Sequence, residues 1–425
     1  MSRSAAIPPR GSRLWQAIAL LLAVVQGIAL LRVGWRLLAT SRGRRIPVAP
    51  ETADLRQTVS VIVPVLNEED RLAPCLAGLR AQGASVAEIL VVDGGSRDGT
   101  RAVFDRAADR DPRLRWIDVP PPPVDDPWNG KAWNLETGRR HLAPGTRWVL
   151  TIDADVRPAP DLVASLLATA THDGLQAVTV AAPQRLADAG DGLVHPALLA
   201  TLVLRYGIPG TVPTRPEDVQ ANGQCFLVSR DALDGVDGFA GGRHSVVEDI
   251  TLGRDLVRAG NRLLFAEPED AGSLLQVAMY GSWRETWRNW TRSLPMRDAS
   301  SGPDWWGRMA DVTLVQALPL PVLATQAIVG WMAGRNPESG VARAAGGGRG
   351  PIGPNETAGT RTLRTVNLAA LALRIGLLAG MRRAYRNPPP TYWLSPLLDP
   401  AVVGKLWAQA LRREYQWRGR AIVRQ

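Results

Sequence analysis

The order of apolar and polar positions between residues 58 and 171 alternates between strand and helix patterns. Helical stretches at 68–82, 98–109, 131–142 and 160–171 separate short apolar runs that polar or turn residues bound. Those runs predict buried strands: VSVIVPVL (59–66), EILVVD (88–93), LRWIDV (114–119) and RWVLTID (147–153). Strands that alternate with helices predict an α/β fold, in which helices cover both faces of a mostly parallel sheet.

An apolar stretch near the N-terminus, residues 14–31, predicts a membrane-spanning helix. It has 18 residues with two glutamines as its only polar members, close to the roughly 20 that a span needs. We expect Arg32 and Arg36 at its end to extend towards the membrane interface. A cleaved signal peptide is the alternative, but arginines rather than small residues follow the run. These arginines favour a cell-membrane location with the next domain on the cytoplasmic side.

The chain beyond residue 280 predicts further contact with a membrane. The segment SWRETWRNWTRSL places Trp283, Trp287 and Trp290 on one face of a helix beside arginines, which suits a membrane interface. The alternative is that this face packs on the catalytic domain. The apolar segments 309–333 and 366–381 are either two spans or a re-entrant or interfacial pair, and the sequence leaves both open.

These patterns predict five regions. They are a tail with a transmembrane helix (1–45), a linker (46–57), a catalytic domain (58–280), an amphipathic Trp/Arg-rich region (281–308) and C-terminal membrane-associated segments with a basic tail (309–425).

The net charge of +10 is divided unevenly along the chain. Residues 1–50 carry +8, residues 51–280 carry −10 and residues 281–425 carry +12. A nucleic-acid-binding protein usually concentrates positive charge on its recognition domain. Here the positive charge follows the apolar flanks, which indicates an anionic membrane surface as the partner and not nucleic acid. The two cysteines, Cys75 and Cys225, are isolated and match neither a disulfide framework nor a zinc site.

Acidic residues follow the predicted strands, at the sheet edge where such folds bind ligands. Asp153 and Asp155 in IDAD can present two carboxylates to one cleft. Hard cations such as Mg²⁺ or Mn²⁺ prefer oxygen ligands and leave positions for phosphates. The sequence therefore predicts a divalent metal and a nucleotide diphosphate. Lys131, in the turn PWNGKAWN, is a candidate phosphate contact, with a solvated surface lysine as the alternative.

A further acidic pair, Glu248 and Asp249, precedes the helical stretch TLGRDLVRAG. Asp249 is the candidate general base, because an acceptor hydroxyl must lose a proton as it attacks the sugar. We expect Glu248 to position a neighbour. The alternative for both is stabilisation of the helix N-terminus. His244, five residues before Asp249, is a weaker candidate for the same site.

Four motifs in order, VSVIVPVLNEED, VVDGGSRDGT, IDAD and the Glu-Asp pair, resemble the family 2 glycosyltransferases of the GT-A fold over roughly residues 58–296. The resemblance implies an inverting transfer from a nucleotide sugar. By matching positions it implies roles for seven residues: Pro64, Asn67 and Glu68 line the nucleotide site, Asp93 holds the base of the nucleotide, Asp153 faces the donor, Asp155 binds the metal and Asp249 is the base.

Two departures from the family pattern refine this expectation. Gly94 stands where a second aspartate usually follows Asp93, and NWTRSLP (289–295) replaces the Gln-x-x-Arg-Trp signature of processive members. A single transfer is therefore expected, with Trp290 and Arg292 near the donor or acceptor. The tail SPLLDPAVVGKLWAQALRREYQWRGR is similar to bacterial carotenoid- and hopanoid-associated glycosyltransferases, which implies a hydroxylated isoprenoid acceptor. Polyprenyl phosphate and glycerolipid stay open as acceptors. Both UDP-linked and GDP-linked sugars stay open as donors.

Two other classes of protein require different residues at these positions. A nucleotidyltransferase would show a Gly/Lys/Arg phosphate loop after the first strand, where Asn67-Glu68-Glu69-Asp70 would repel a triphosphate. A non-enzymatic membrane scaffold would need no carboxylates at strand ends.

Overall fold

The structure is a computed structural model that describes residues 10–53, 56, 58–126, 128–277, 279–297, 302–335, 357–412, 414–417 and 420–423. Arg413, Arg418 and Gly419 of the tail quoted above lie outside the described residues. The strands are β1 (Val59–Val65), β2 (Val86–Asp93), β3 (Leu114–Asp118), β4 (Trp148–Ile152), β5 (Val156–Pro158), β6 (Ala177–Val180), β7 (Cys225–Ser229), β8 (Leu263–Ala266), β9 (Leu275–Val277), β10 (Glu414–Trp417) and β11 (Arg420–Val423).

Seven of these strands form one sheet in the order β3-β2-β1-β4-β7-β6-β8. Strands β1 to β4 pair in parallel, and β6 pairs in parallel with β8. Strand β7 runs antiparallel to both of its neighbours, β4 and β6. The predicted α/β fold with a mostly parallel sheet is thus confirmed, and the sheet extends through β6, β7 and β8, which the sequence analysis did not identify.

Helices surround this sheet and continue beyond it. They are α1 (Arg10–Thr40), α2 (Leu72–Arg80), α3 (Thr100–Ala108), α4 (Gly130–Arg140), α5 (Leu162–Asp173), α6 (Ala189–Tyr206), α7 (Arg230–Asp234), α8 (Glu248–Arg258), α9 (Trp283–Ser293), α10 (Pro303–Val312), α11 (Pro319–Arg335), α12 (Ala358–Met381) and α13 (Asp399–Ala410). A π-helical turn (Thr313–Ala317) joins α10 to α11, and a 3-10 helix (Pro390–Leu398) precedes α13.

The core lies on both faces of the sheet. Val61 and Val63 of β1 belong to one buried cluster, and Ile62 between them belongs to a second cluster on the other face. A strand that is buried on both faces needs a continuous apolar run, which is why VSVIVPV has no alternation. This packing fixes the residues that follow the strands at one edge of the sheet.

Three helical segments are long and apolar enough to cross a membrane: Leu14–Thr40, Pro303–Met332 and Ala358–Ala384. The first and third are joined by a buried amide pair, in which Gln26 Nε2 donates to Asn367 Oδ1 over 3.1 Å and Asn367 Nδ2 donates to Gln26 Oε1 over 3.0 Å. Gln26 also donates to the carbonyl oxygen of Leu314, 3.0 Å away. These contacts make the three segments one packed bundle.

Arg32 and Arg36 have a partner inside this bundle. Nε of Arg32 lies 2.9 Å from Oδ1 of Asp311, and Nη2 of Arg36 lies 3.0 Å from its Oδ2. Asp311 is fully buried. Both arginines therefore hold a buried carboxylate on α10, whereas the sequence analysis expected them to extend to the membrane interface.

The tryptophan face of α9 packs on protein. Trp283, Trp287 and Trp290 are half-buried against an apolar cluster that includes Val33, Leu204, Met309, Leu377 and Val403, which is called the helical cluster below. Arg284 and Arg288 on the other face are exposed. The structure thus favours the alternative in which this face packs on the catalytic domain, here on α6, and it adds contacts with helices of the C-terminal part.

Candidate active site

A cleft of about 730 Å³ opens at the carboxyl edge of β1, β2 and β4. Seven of the predicted site residues line it: Pro64, Glu68, Lys131, Asp153, Asp155, Glu248 and Asp249. They come from the ends of β1 and β4 and from the N-termini of α4 and α8. Residues that are far apart in the sequence are therefore collected in one cleft.

Lys131 is the cation at the centre of this group. Its Nζ lies 2.8 Å from Oδ1 and 2.9 Å from Oδ2 of Asp153, and 3.2 Å from Oε1 of Glu248. Burial would lower the pKa of Lys131, but the surrounding carboxylates Asp153, Glu248 and Asp249 raise it above the ordinary value. The side chain is 21% exposed, so Lys131 is a charged cleft residue and not a solvated surface lysine.

Asp155 is a buried carboxylate that lacks an adequate partner. Burial raises its pKa to about 7, and repulsion from Asp153 acts in the same direction. Its Oδ1 is buried without a hydrogen-bond partner among the described residues. Burying a carboxylate oxygen without a partner is costly, and buried charges are therefore paired or bound to a metal. The oxygen and its neighbour Asp153 therefore fit a hard divalent cation.

The cation site is incomplete without a ligand. Within the described part of the chain, no group of three or more Asp, Glu, His or Cys side chains converges to hold an ion alone. Mg²⁺ is commonly held by one or two carboxylates together with substrate phosphates. The two carboxylates of IDAD match that arrangement, in which a diphosphate supplies the remaining oxygens.

Asp249 lies in the first turn of α8, with its carboxylate held by two backbone amides. The amide of Gly223 donates to Oδ2 over 2.6 Å, and the amide of Ile250 donates to Oδ1 over 2.9 Å. Burial raises the pKa of Asp249 to about 7, and Glu248 adds to the increase. A carboxylate with a pKa near neutrality is a suitable general base. The residue before the pair, Val247, forms no side-chain cap.

Two of the predicted nucleotide-site residues lie beside the cleft without lining it. Asn67 has a φ of 56°, and its Oδ1 accepts from the amide of Arg97 over 2.8 Å. Asp93 accepts from the amide of Ser96 at 3.0 Å through both oxygens and from its hydroxyl at 2.5 Å. Since the hydroxyl of Ser96 also accepts from the amide of Asn67, these side chains join the loops after β1 and β2. Gly94, next to Asp93, lines the cleft.

The sequence analysis missed the segment that precedes β7. Asn222, Gly223 and Gln224 line the cleft. A Cβ atom on Gly223 would lie 2.9 Å from Nζ of Lys131 and 3.3 Å from Oδ2 of Asp249. No side chain fits there, so the backbone approaches the two charged groups directly. The polar triplet Asn-Gly-Gln before the apolar run CFLVS was the available signal.

Aromatic residues form another part of the cleft. Tyr280, Trp290 and Ser293 line it, and burial raises the pKa of the Tyr280 phenol. Of the two residues that the sequence analysis placed near the substrates, Trp290 is therefore in the cleft. Arg292 does not line it and donates to Oδ1 of Asn289 over 2.9 Å. His244 lines the cleft as well, with Nε2 3.1 Å from Oδ1 of Asp126.

One protein family matches the part of the chain that forms most of this cleft. Residues 60–250 match the family described as Glycosyl transferase family 2. These residues are similar to a family 2 glycosyltransferase domain. The match spans all four motifs, from the first strand to the Glu248-Asp249 pair, and it confirms the predicted enzyme class as glycosyltransferase.

The chain is also similar to individual proteins. The succinoglycan biosynthesis protein ExoA of Rhizobium meliloti (strain 1021) is 30% identical over 130 residues, which are 30% of this chain and 37% of that protein. The chain thus spans little more than a third of that relative. The mannosyltransferase PcManGT from Pyrobaculum calidifontis, solved with GDP-Man and Mn²⁺, is 23% identical with a TM-score of 0.50 and covers 84% of this chain and 96% of its own.

A second solved structure is glucosyl-3-phosphoglycerate synthase from Mycobacterium tuberculosis, with Mn²⁺, UDP and glucosyl-3-phosphoglycerate. It is 21% identical, covers 55% of this chain and 73% of its own, and has a TM-score of 0.33. The likeness to the mannosyltransferase shows that the chain has a GT-A-like fold.

Proposed function

We propose that this chain is a membrane-attached inverting glycosyltransferase that moves one sugar from a nucleotide sugar to a hydroxyl of a lipid acceptor. The supporting observation is the position of α9. Trp290 and Ser293 of this helix line the catalytic cleft, while its tryptophans pack on the helical cluster that joins the three candidate spans. One wall of the cleft therefore belongs to a helix that also packs against the candidate membrane spans.

The donor part of the cleft is suited to a diphosphate. Asp155, with Asp153, is placed to hold Mg²⁺ or Mn²⁺, and Lys131 is placed to contact a phosphate oxygen. The bound cation supplies neutralisation of the charge that develops on the leaving diphosphate. The mannosyltransferase with a similar fold was solved with GDP-Man and Mn²⁺, which supports a divalent cation here. UDP-sugar is the first donor to test, and GDP-sugar is the second.

The acceptor hydroxyl loses its proton to Asp249 in this proposal. The amides of Gly223 and Ile250 hold both oxygens of the carboxylate, so its orientation is fixed before the acceptor binds. Glu248 forms an ion pair with Lys131 and thereby positions the lysine ammonium group between the two acidic pairs. Attack on the face opposite the leaving diphosphate inverts the anomeric centre.

The proposed acceptor is an isoprenoid lipid such as a hydroxylated carotenoid, and the proposed location is the cell membrane with the catalytic domain on the cytoplasmic side. Both rest on the basic, apolar flanks and on the tail similarity. A second candidate is a polyprenyl-phosphate- or glycerolipid-linked acceptor.

A comparison of lipid extracts tests the proposal. Wild type, Asp249→Asn and Asp105→Asn would be expressed in a host that makes hydroxylated carotenoids and hopanoids, and lipids that gain one hexose would be sought by mass spectrometry. Asp105 is an exposed residue on α3, so its change is a matched control. A hexosylated isoprenoid with wild type and Asp105→Asn, but not with Asp249→Asn, supports the reaction and the acceptor class.

Other outcomes point elsewhere. Hexose on a polyprenyl phosphate or glycerolipid would select the second candidate. A wild type that neither transfers nor hydrolyses UDP- or GDP-sugars would contradict glycosyl transfer and direct attention to a scaffold or to a nucleotidyltransferase.

A further inference from the structure

His195 lies directly against the aromatic residue that lines the cleft. The rings of His195 and Trp290 have centroids 4.3 Å apart at an interplanar angle of 36°. His195 belongs to α6 and is 3% exposed, so it does not reach the cleft itself. The position of the Trp290 indole in the cleft therefore depends on a buried ring behind it.

His195 is held in turn by the segment that follows the third candidate span. Its Nδ1 lies 2.9 Å from the hydroxyl of Tyr385, and the Tyr385 ring meets the imidazole edge-on at 5.3 Å and 87°. Tyr385 is 2% exposed and comes directly after the segment Ala358–Ala384. A chain of contacts thus runs from the membrane-associated helix through Tyr385 and His195 to Trp290.

The imidazole at this position is neutral and incompletely bonded. Burial lowers the pKa of His195 to about 3, and Nε2 is buried without a hydrogen-bond partner among the described residues. A buried polar atom in that condition destabilises the folded protein. An apolar ring would avoid this cost, so packing stability alone does not account for a histidine here.

The same segment reaches the cleft by a second route. The amide of Gln184 donates to the carbonyl oxygen of Ala384 over 2.8 Å, and the amide of Arg386 donates to the carbonyl oxygen of Gln184 over 3.1 Å. Nε2 of Gln184 lies 3.3 Å from Oε1 of Gln224, a cleft residue. Residues 384–386 are therefore tied to two separate parts of the cleft.

The end of α9 is close to the candidate base. Met296, three residues after Ser293, belongs to a buried cluster with Val247 and Ile250, which flank Glu248 and Asp249. A substrate that contacts Trp290 and Ser293 would thus lie on the side of the cleft where the base is. That is where an acceptor hydroxyl has to be placed.

We propose that His195 and Tyr385 are positioning residues that hold Trp290 as the aromatic wall of the acceptor subsite, with a hydroxylated apolar lipid as the occupant. The inference rests on the proposed function. The stacked imidazole sets the orientation of the indole, and the tyrosine hydroxyl sets the orientation of the imidazole. Neither side chain contacts the donor site, so they act on acceptor binding alone.

Steady-state kinetics of the full-length protein in mixed micelles test this, with UDP-glucose and GDP-mannose as donors and a dihydroxylated carotenoid as acceptor. The variants are His195→Ala, His195→Phe and Tyr385→Phe, and His172→Ala on an exposed histidine is the control. Hydrolysis of the donor without acceptor is measured in parallel. This second readout reports the donor site independently of the lipid.

His195→Ala should raise KM for the carotenoid by about threefold to tenfold, the size that aromatic pairs contribute. Tyr385→Phe, which removes only a hydroxyl, should raise the same KM by a smaller factor, and His195→Phe should keep most acceptor binding because the stacked face remains. KM for the donor and the rate of donor hydrolysis should match wild type. His172→Ala should change none of these values.

An unchanged acceptor KM in His195→Ala would overturn the inference. So would a parallel fall in kcat, donor hydrolysis and the amount of folded protein, since that is the mark of a purely structural role. A wild type that hydrolyses donor but transfers nothing to the carotenoid would contradict the proposed acceptor itself, and with it the occupant of the subsite. These failures are distinguishable because the donor reaction needs no lipid.

Discussion

The ammonium nitrogen of Lys131 lies between two acidic pairs, 2.8 Å from Oδ1 of Asp153 and 3.2 Å from Oε1 of Glu248. One cation thus joins the carboxylates at the end of β4 to those at the start of α8. It offsets the repulsion among four acids that the fold brings into one cleft. When a diphosphate enters, the same ammonium group is within reach of a new anionic partner.

Removing this cation should weaken donor use. Lys131→Met is expected to lower kcat/KM for the nucleotide sugar by about 10²- to 10³-fold, as for other charged groups aimed at developing negative charge. Steady-state rates at several donor concentrations measure this. The chain has one other lysine, and Lys405→Met is the control, expected to stay within about twofold of wild type. Near-normal kcat/KM in Lys131→Met would contradict a phosphate contact.

The titration of Asp249 should appear in the pH dependence of the reaction. A general base must be ionised, and burial raises the pKa of Asp249 to about 7. We therefore expect kcat/KM to fall as the pH drops below about 7, approaching tenfold per pH unit. Measurement of kcat/KM between pH 5 and 9 checks this. A flat profile down to pH 5 would exclude Asp249 as the titrating base.

The free energy of unfolding should also depend on the ionisation of Asp249, and it should fall over the pH range in which kcat/KM rises. Because the folded-state pKa lies above the ordinary value of 3.8, the folded protein keeps a proton that the unfolded chain releases. The resulting stability is present at low pH and is lost as the pH rises from about 4 to about 7. Asp249→Asn is therefore expected to raise Tm at pH 8 and to leave it unchanged near pH 4. Thermal unfolding at both pH values distinguishes this from a general effect.

Asp155→Asn should stabilise the metal-free protein and abolish its binding of the cation. Asp155→Asn removes a buried charge whose Oδ1 has no partner among the described residues, so Tm without metal should rise at pH 8. The increase in Tm that Mn²⁺ and UDP produce together should disappear, because a ligand stabilises only the fold that it binds. Asp105→Asn should retain that increase. A full Mn²⁺ response in Asp155→Asn would place the cation elsewhere.

Gly223 provides a test of the close backbone approach. The Cβ of Gly223→Ala would lie 2.9 Å from Nζ of Lys131 and 3.3 Å from Asp249, so we expect both charged groups to be displaced. Turnover should fall by at least about tenfold with little change in Tm, since the lysine side chain can move. Gly145→Ala is the control, because no atom lies within 4 Å of its added Cβ. Wild-type turnover in Gly223→Ala would show that the cleft tolerates the shift.

The first part of the sheet was predictable because its signals are local. Strands β1 to β4 are apolar runs of five to eight residues that end in polar residues or turns, and burial on both faces requires that pattern. Strands β6 and β8 have four residues each. Runs this short carry too little periodicity to be separated from a helix or a loop, so their pairing partners decide their conformation.

The site was predictable to the extent that it follows strand ends. Asp153 and Asp155 were found because the residues after parallel strands meet at one edge. Gly223 belongs to the site only through contacts between distant segments. The same holds for Arg36 and Asp311, which are 275 positions apart. The sequence shows that Arg36 lies near the end of an apolar run, but it does not show which carboxylate the arginine contacts.

The pairing of Arg36 with Asp311 has a mechanical consequence. It fixes the end of α1, from which the chain enters the catalytic domain, beside the end of α10, in the part of the chain that follows the domain. The segments that precede and follow the catalytic domain are therefore held together by the contact between α1 and α10. A single proteolytic cut between residues 46 and 57 would leave the domain attached through the segment that follows it. A second cut, on the other side of the domain, would be needed to release it from the three candidate spans.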